Sequence, residues 1–171
     1  DLFAKHGTSF SLTGVAENVG IKKASIYAHF ESKDMLINTV IENEIDKYFF
    51  EINQENDDLK KIFFGVLNYY NDSQTKLLFW KRLLLFPPES IETALLEKIH
   101  FMSEKRYEII KQLILKGIKS GIIKKDSEEE ICLMFFSIIH GLLSSILIYH
   151  PQDIKEHFDN IWDKFWNSIK N

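Results

Sequence analysis

Apolar side chains recur at helical spacing along most of the chain. The first run lies in 12–19, where the apolar positions fall at i, i+3, i+4 and i+7: Leu12, Val15, Ala16 and Val19. This spacing places them on one face of an α-helix. Later stretches repeat it at 41–52, 59–70, 91–114 and 154–169. Since no stretch alternates apolar and polar residues at period two for long, the pattern predicts an all-α chain.

Small and polar residues mark where these helices begin and end. Ser11 precedes the first run and is expected to cap its open amides, and Gly20 follows it and supplies a left-handed turn. Other residues of the same kinds are expected to start or stop helices: Ser32, Ser73 and Ser127 at starts, Pro87-Pro88 and Gly121 at ends. After an earlier helix that ends near Ala4, the predicted helices are 12–19, 22–29, 32–53, 59–70, 75–86, 89–120, 127–149 and 153–169.

The short helix 22–29 has one apolar and one polar edge. It is too short to be stable alone, so we expect it to rest on its neighbours through Ile21, Ile26 and Phe30. The residues left on the polar edge are two lysines, a hydroxyl, a phenol and an imidazole: Lys22, Lys23, Ser25, Tyr27 and His29. Such a set suits a phosphate backbone with base edges between the phosphates. Together with the helix 12–19, it predicts a helix-turn-helix.

At these residues the sequence resembles the tetracycline-repressor (TetR) family of bacterial transcription regulators. The matching elements cover about the first 50 residues: Leu2-Phe3, Gly7, Val15-Ala16, Gly20-Ile21, Ile26-Tyr27, His29-Phe30, Ser32-Lys33-Asp34 and Leu36. The rest of the chain agrees only in length and helical pattern. Three features depart from the family pattern. Lys22 stands where the family usually has a capping Ser or Thr, the spacing from Gly7 to Val15 is one residue shorter, and the chain is expected to begin inside the first helix.

The resemblance implies a helix-turn-helix DNA-binding domain with its connecting helix at 1–53, and a larger helical ligand-binding and dimerisation domain at 54–171. It implies contacts with a double-stranded DNA operator through the following residues: Ser11, Thr13, Lys22, Lys23, Ala24, Ser25, Tyr27, His29 and Lys33. Lys33 stands beside a helix N-terminus, which itself attracts phosphate, so its replacement is expected to lower the salt dependence of DNA binding.

The resemblance also implies a homodimer, paired through 127–149 and 153–169. The interface is expected to include small residues that permit close helix approach and one apolar stripe of the last helix: Gly141, Ser145, Ile148, Phe158, Trp162 and Phe165. The alternative for these residues is ordinary core packing within one chain.

Large aromatic residues crowd the helices 59–70, 75–86 and 89–120, which predicts a ligand cavity between them. Its candidate lining residues are Tyr69, Trp80, Phe101 and Tyr107, and plain core is the alternative for each. By the resemblance, a small hydrophobic or amphipathic inducer bound there would release a dimeric repressor from a palindromic operator.

Charge and composition narrow the alternatives. The net charge is −4, and the charges of residues 1–36 cancel, so DNA binding must depend on local placement of cations rather than on a basic body. The single cysteine, Cys132, excludes a disulfide framework and fits a reducing cytoplasm. Neither a zinc-type ligand set nor a glycine-rich phosphate loop or nucleophile elbow is present, so the sequence predicts no metal, no cofactor and no catalytic residue.

Two other classes of protein remain as alternatives. The stretch 131–149 carries no formal charge and is long enough to span a membrane, which would make the chain a membrane-anchored protein. His140, Gly141 and the two serines in its middle, and the absence of a flanking Lys/Arg cluster, favour a soluble core helix and no membrane contact. The other alternative is a helical-bundle enzyme.

Overall fold

The computed structural model describes residues 1–52, 57–71, 73–149 and 154–171. Its helices are numbered here in chain order: α1 (Leu2–His6), α2 (Leu12–Val19), α3 (Lys23–Tyr27), α4 (Lys33–Ile52), α5 (Leu59–Asn71), α6 (Gln74–Leu85), α7 (Thr93–Lys119), α8 (Glu128–Ile148) and α9 (Phe158–Ile169). No strand occurs in these ranges, although one isolated bridge pairs Ile123 with Lys170. The predicted all-α class is confirmed.

The predicted caps close the helix ends. Four serine hydroxyls accept the backbone N–H three residues further on, at 3.0–3.3 Å: Ser11, Ser32, Ser73 and Ser127. Gly20 and Gly121 take the left-handed conformation after α2 and α7, with φ of 71° and 74°. Each serine satisfies one of the amides that a helix start leaves open.

One helix begins later than predicted. The helix expected from residue 89 starts at Thr93, because Pro88 first enters a turn in which its carbonyl accepts the Ile91 N–H at 3.1 Å. The Asn38 side chain then accepts the Glu92 N–H at 3.0 Å. The predicted break after residue 53 and the predicted helix start at residue 153 lie outside the described residues.

The chain forms two compact units, and neither is continuous in sequence. The first unit is Asp1–Phe49 with Ser73–His100, and the second is Phe50–Asp72 with Phe101–Asn171. The segment that carries α6 therefore packs with the helix-turn-helix rather than with the residues that follow it. The functional division into 1–53 and 54–171 stays a prediction.

The first unit is built on α4 and on the contact between α1 and α6. Ile41 and Ile45 are fully buried. The Phe3 ring meets the Phe79 ring edge-on at 5.4 Å, which joins α1 to α6. The unit that contains the short helices α2 and α3 therefore also includes residues from the middle of the chain.

The second unit has an aromatic core around α5, α8 and α9. The Phe63 ring lies 6.1 Å from that of Phe135 and 5.2 Å from that of Trp162, and all three are buried. By length and composition α8 is apolar enough to cross a membrane. Phe135 of this helix packs on Phe63 and Phe165 in the core of its own unit, and a core helix of a soluble protein has the same length and composition.

Candidate nucleic-acid interface

A small apolar cluster positions α3 against α2. Leu12, Ala16 and Ile26 are buried together, and partly buried apolar side chains close the cluster from outside: Val15, Phe30 and Leu36. The Ile21 N–H donates to the Ala16 carbonyl at 3.0 Å, which fixes the turn after Gly20. A helix of five residues is therefore held by its neighbours, as its length requires.

The turn exposes two apolar side chains, one of which was expected to be buried. Ile21 is 48% exposed, so the prediction that it packs against the helix-turn-helix core was wrong, and Val19, on the apolar face of α2, is 62% exposed. The cluster closes through Phe30 and Leu36 instead. An exposed aliphatic side chain beside a polar edge is chemically suited to the methyl group of thymine.

Nearly all predicted DNA contacts lie at the surface. With the exception of Lys33, the candidates are exposed: Ser11, Thr13, Lys22, Lys23, Ala24, Ser25, Tyr27 and His29. The Lys23 ammonium lies 5.7 Å from the centre of the Tyr27 ring, so the side chains of Lys23 and Tyr27 share one edge of α3. Ser11 uses its oxygen as acceptor for the cap, which leaves its O–H as a donor for phosphate. Their contact with DNA stays a prediction.

Lys33 has a different environment from the other lysines of this surface. Its ammonium donates to the carbonyls of Thr8 and Phe10, at 2.5 and 3.0 Å, and lies 5.1 Å from the centre of the Phe10 ring. It therefore fastens the α1–α2 connection to the start of α4. Sequence reasoning missed this role, because nothing in the local pattern identifies carbonyls more than twenty residues away as partners.

Asn38 is a second polar residue that the sequence did not single out. It is 8% exposed, donates to the carbonyls of Asp34 and Ser90 at 3.1 and 3.0 Å, and accepts from the Glu92 N–H. The Ser90 hydroxyl donates to the Asp34 carboxylate at 2.9 Å. The beginning of α4 is thus joined by hydrogen bonds to the segment that leads into α7.

The four candidate pocket residues have different surroundings. Tyr69 and Trp80 are buried, and the Trp80 ring packs 4.7 Å from that of Tyr48. Phe101 and Tyr107 are instead exposed, and their part in a ligand site stays a prediction. Both line an open groove of about 1020 Å³ along α7. A cavity around Tyr69 or Trp80 stays a prediction.

The candidate dimer-interface residues also differ in their exposure. Gly141 and Ile148 are exposed and Ser145 is half-buried. The three candidates on α9 are not available to a partner, because their side chains are buried in the core of the second unit: Phe158, Trp162 and Phe165. Assigning these three to a dimer interface was wrong. Helical periodicity identifies an apolar stripe but not which surface covers it.

No metal site is found in the described ranges, which contain no group of three or more His, Cys, Asp or Glu residues that could hold an ion. Burial raises the pKa of the Cys132 thiol to about 11, which keeps it protonated and unreactive at neutral pH.

Residues 1–40 match the model of the family described as bacterial regulatory proteins, tetR family. Among curated proteins, none matches the chain. Solved structures of similar fold include the ketosteroid transcriptional regulator KstR2 of Mycobacterium tuberculosis, with a TM-score of 0.74 and 15% identity over 99% of this chain and 90% of that one.

Two further structures contain ligands. A putative transcriptional regulator from Saccharomonospora viridis in complex with choline has a TM-score of 0.66 and 16% identity, over 99% of this chain and 92% of that one. AibR in complex with isovaleryl coenzyme A and operator DNA has a TM-score of 0.70 and 14% identity, over 94% of this chain and 89% of that one. At such identities these likenesses establish the fold alone.

Proposed function

We propose that the chain, whose residues 1–40 match the model of the tetR family of bacterial regulatory proteins, is a cytoplasmic repressor that binds a palindromic operator as a homodimer and is released by a small hydrophobic or amphipathic ligand. The family consists of regulators rather than enzymes. The observation that carries the proposal is the exposed edge of α3, where Lys23 and Tyr27 lie together beside Ser25.

The edge supports DNA binding through its chemistry. A lysine ammonium supplies a mobile point charge for phosphate, and hydroxyl, phenol and imidazole groups hydrogen-bond to base edges or phosphates. One helix of five residues reads only a short site. Two copies related by a two-fold axis would read two half-sites about 34–36 Å apart, which is why a palindromic operator is proposed.

The outward face of α8 supports the homodimer. Uncharged side chains follow this face at helical spacing and are exposed: Leu133, Ser137, Gly141 and Ile148. A Cβ atom added at Gly141 would meet nothing within 4 Å in this chain, so a partner helix can approach there closely.

Ligand release is the part of the proposal that rests most on relatives. Structures of similar fold were solved with choline and with isovaleryl coenzyme A together with operator DNA. In this chain, the aromatic side chains of α5 and α6 include Tyr69 and Trp80, which are buried as a ligand site would require. The ligand is proposed as hydrophobic or amphipathic because these candidate contacts are aromatic.

The test is a binding titration with DNA that flanks the protein's own gene, at several salt concentrations. Each phosphate contact contributes about −0.9 to the slope of log K against log salt. Replacing both Lys22 and Lys23 by Ala should weaken binding and reduce the slope by about two units. Lys47→Ala is the matched control, because this lysine is exposed and pairs with Glu44 on its own helix. Equal slopes for the double variant and the wild type would contradict the proposed interface.

A further inference from the structure

Arg82 connects α6 to the carbonyl end of α1. Its Nε donates to the Ala4 carbonyl at 3.1 Å and its Nη2 donates to the Lys5 carbonyl at 3.2 Å. The last carbonyls of a helix have no partner within the helix, so a cation at this end satisfies them and is favoured by the helix dipole. We call this arrangement the Arg82 clamp.

The chain after α1 is shaped to admit the guanidinium. Gly7 has φ of 60°, a conformation that L side chains rarely adopt, and a Cβ atom there would lie 2.9 Å from Arg82 Nη1. The absence of a side chain at Gly7 thus serves two purposes, the turn and the close approach of Arg82. Apolar packing supports the same junction, since the Phe3 and Phe79 rings meet edge-on.

The clamped segment leads directly into the proposed DNA-binding surface. The residues between α1 and α2 end at Ser11, which caps α2. Lys33 fastens the same connection from the other side through the carbonyls of Thr8 and Phe10. Two cations, one from α6 and one from α4, therefore fix the backbone just before Ser11 and Thr13.

We propose that Arg82 is a positioning residue for DNA binding, which sets the placement of α2 by holding the end of α1 on α6. The inference rests on the proposed function. Arg82 itself would not touch DNA. Its planar fork reaches two consecutive carbonyls at once, which a lysine ammonium on a single stem reproduces only in part.

The experiment compares Arg82→Ala and Arg82→Lys with the wild type and with Lys47→Ala, which removes one cation from the same unit. Because operator binding must then restore the placement of α2, loss of the clamp should weaken operator binding by about tenfold or more. The salt slope should stay at the wild-type value, because no phosphate contact is lost. The operator affinity of Arg82→Lys should lie between those of the wild type and Arg82→Ala. If Arg82→Ala does not fold, the comparison of Arg82→Lys with the wild type is the test.

Two results would overturn the proposal. A slope reduced by about one unit would make Arg82 a phosphate contact, and unchanged operator affinity with a lower melting temperature would leave it a purely structural residue. Amide hydrogen exchange on the DNA-free protein provides an independent readout. Arg82→Ala should accelerate exchange at Gly14 and Val15, whose N–H groups bond to Ser11 at the start of α2, while α8 stays protected. If the wild type binds no operator, the proposed function fails, and faster exchange in α2 still distinguishes the clamp from an inert contact.

Discussion

Lys23 and Lys33 lie in the same small domain, but their ammonium groups have different partners. Lys23 is exposed beside Tyr27, whereas Lys33 holds the carbonyls of Thr8 and Phe10. We now expect Lys33→Ala to lower the melting temperature and to weaken operator binding with little change in salt slope. Lys23→Ala should instead reduce the slope by about one unit and leave stability unchanged. Parallel thermal and salt titrations check this, and a full unit lost from the slope in Lys33→Ala would restore it as a phosphate contact.

Cys132 offers a second prediction for a single residue. Its thiol is fully buried and burial raises its pKa to about 11, so a thiol reagent should label the native protein very slowly at pH 8 and the denatured protein at once. The raised pKa also has a consequence for stability. Because the unfolded thiol loses its proton first, its contribution favours folding below pH about 9 and is lost as the pH rises towards 11. Cys132→Ala should flatten that alkaline decline in urea titrations, and an unchanged decline would assign it to other groups.

Helix α8 presents the clearest prediction for a whole element, because its two faces differ. Phe135 is buried in the second unit, whereas Leu133 is 66% exposed. If the proposed homodimer pairs through this face, Leu133→Glu should produce a folded monomer, since an unpaired charge is costly to bury in an apolar interface. Light scattering and thermal unfolding together check this. Lys125→Glu is the control for an added negative charge in an exposed loop of the same unit, and a Leu133→Glu dimer would exclude this face.

For α9 we expect the opposite outcome, which is unfolding rather than dissociation. Trp162 is 4% exposed and packs on Phe63, so Trp162→Glu should unfold the second unit rather than dissociate a dimer. Loss of the helical circular-dichroism signal would distinguish unfolding from dissociation. A folded monomer would show that this side chain faces a partner after all.

At the level of elements, the sequence predicted the helix ends correctly where they depend on neighbouring residues alone. Ser11 and Gly20 cap the two ends of α2 as predicted, because a cap requires only a side-chain oxygen or a left-handed residue at the correct place. The start of α7 was not predictable, since it depends on Asn38, which is 54 residues away from the Glu92 amide that it binds. The sequence likewise did not determine which surface packs on the apolar face of α9, because the hydrophobic periodicity is the same for a core and for an interface.

For the whole chain, too, features with local causes were predictable and features that depend on distant residues were not. The family resemblance and the all-helical class came from local motifs and periodicity, and both are confirmed. The pairing of residues 73–100 with the helix-turn-helix in one unit was not foreseen. Its cause lies in contacts such as Phe3 with Phe79 and Arg82 with Ala4, which join positions more than seventy residues apart. The sequence therefore predicted candidate DNA contacts, but it did not predict the hydrogen bonds by which Arg82 and Lys33 hold the neighbouring backbone.

Ligand release makes a prediction about the whole molecule. Under the proposed function, a compound that releases the protein from its operator must bind the DNA-free protein more tightly than the DNA-bound protein. Thermodynamic linkage then requires the compound and the operator to weaken each other's binding by the same factor. We expect a screen of hydrophobic and cationic compounds, followed by tryptophan fluorescence, to find such a ligand. If the compound weakens operator binding by a given factor, typically about 5 to 150, saturating operator must weaken the compound's binding by the same factor. Trp80→Phe, which keeps an aromatic ring at this buried position, tests whether Trp80 reports the binding. A compound that binds free and DNA-bound protein equally cannot be the inducer. A screen in which no compound releases the operator would contradict the proposed ligand release and leave the aromatic residues as core.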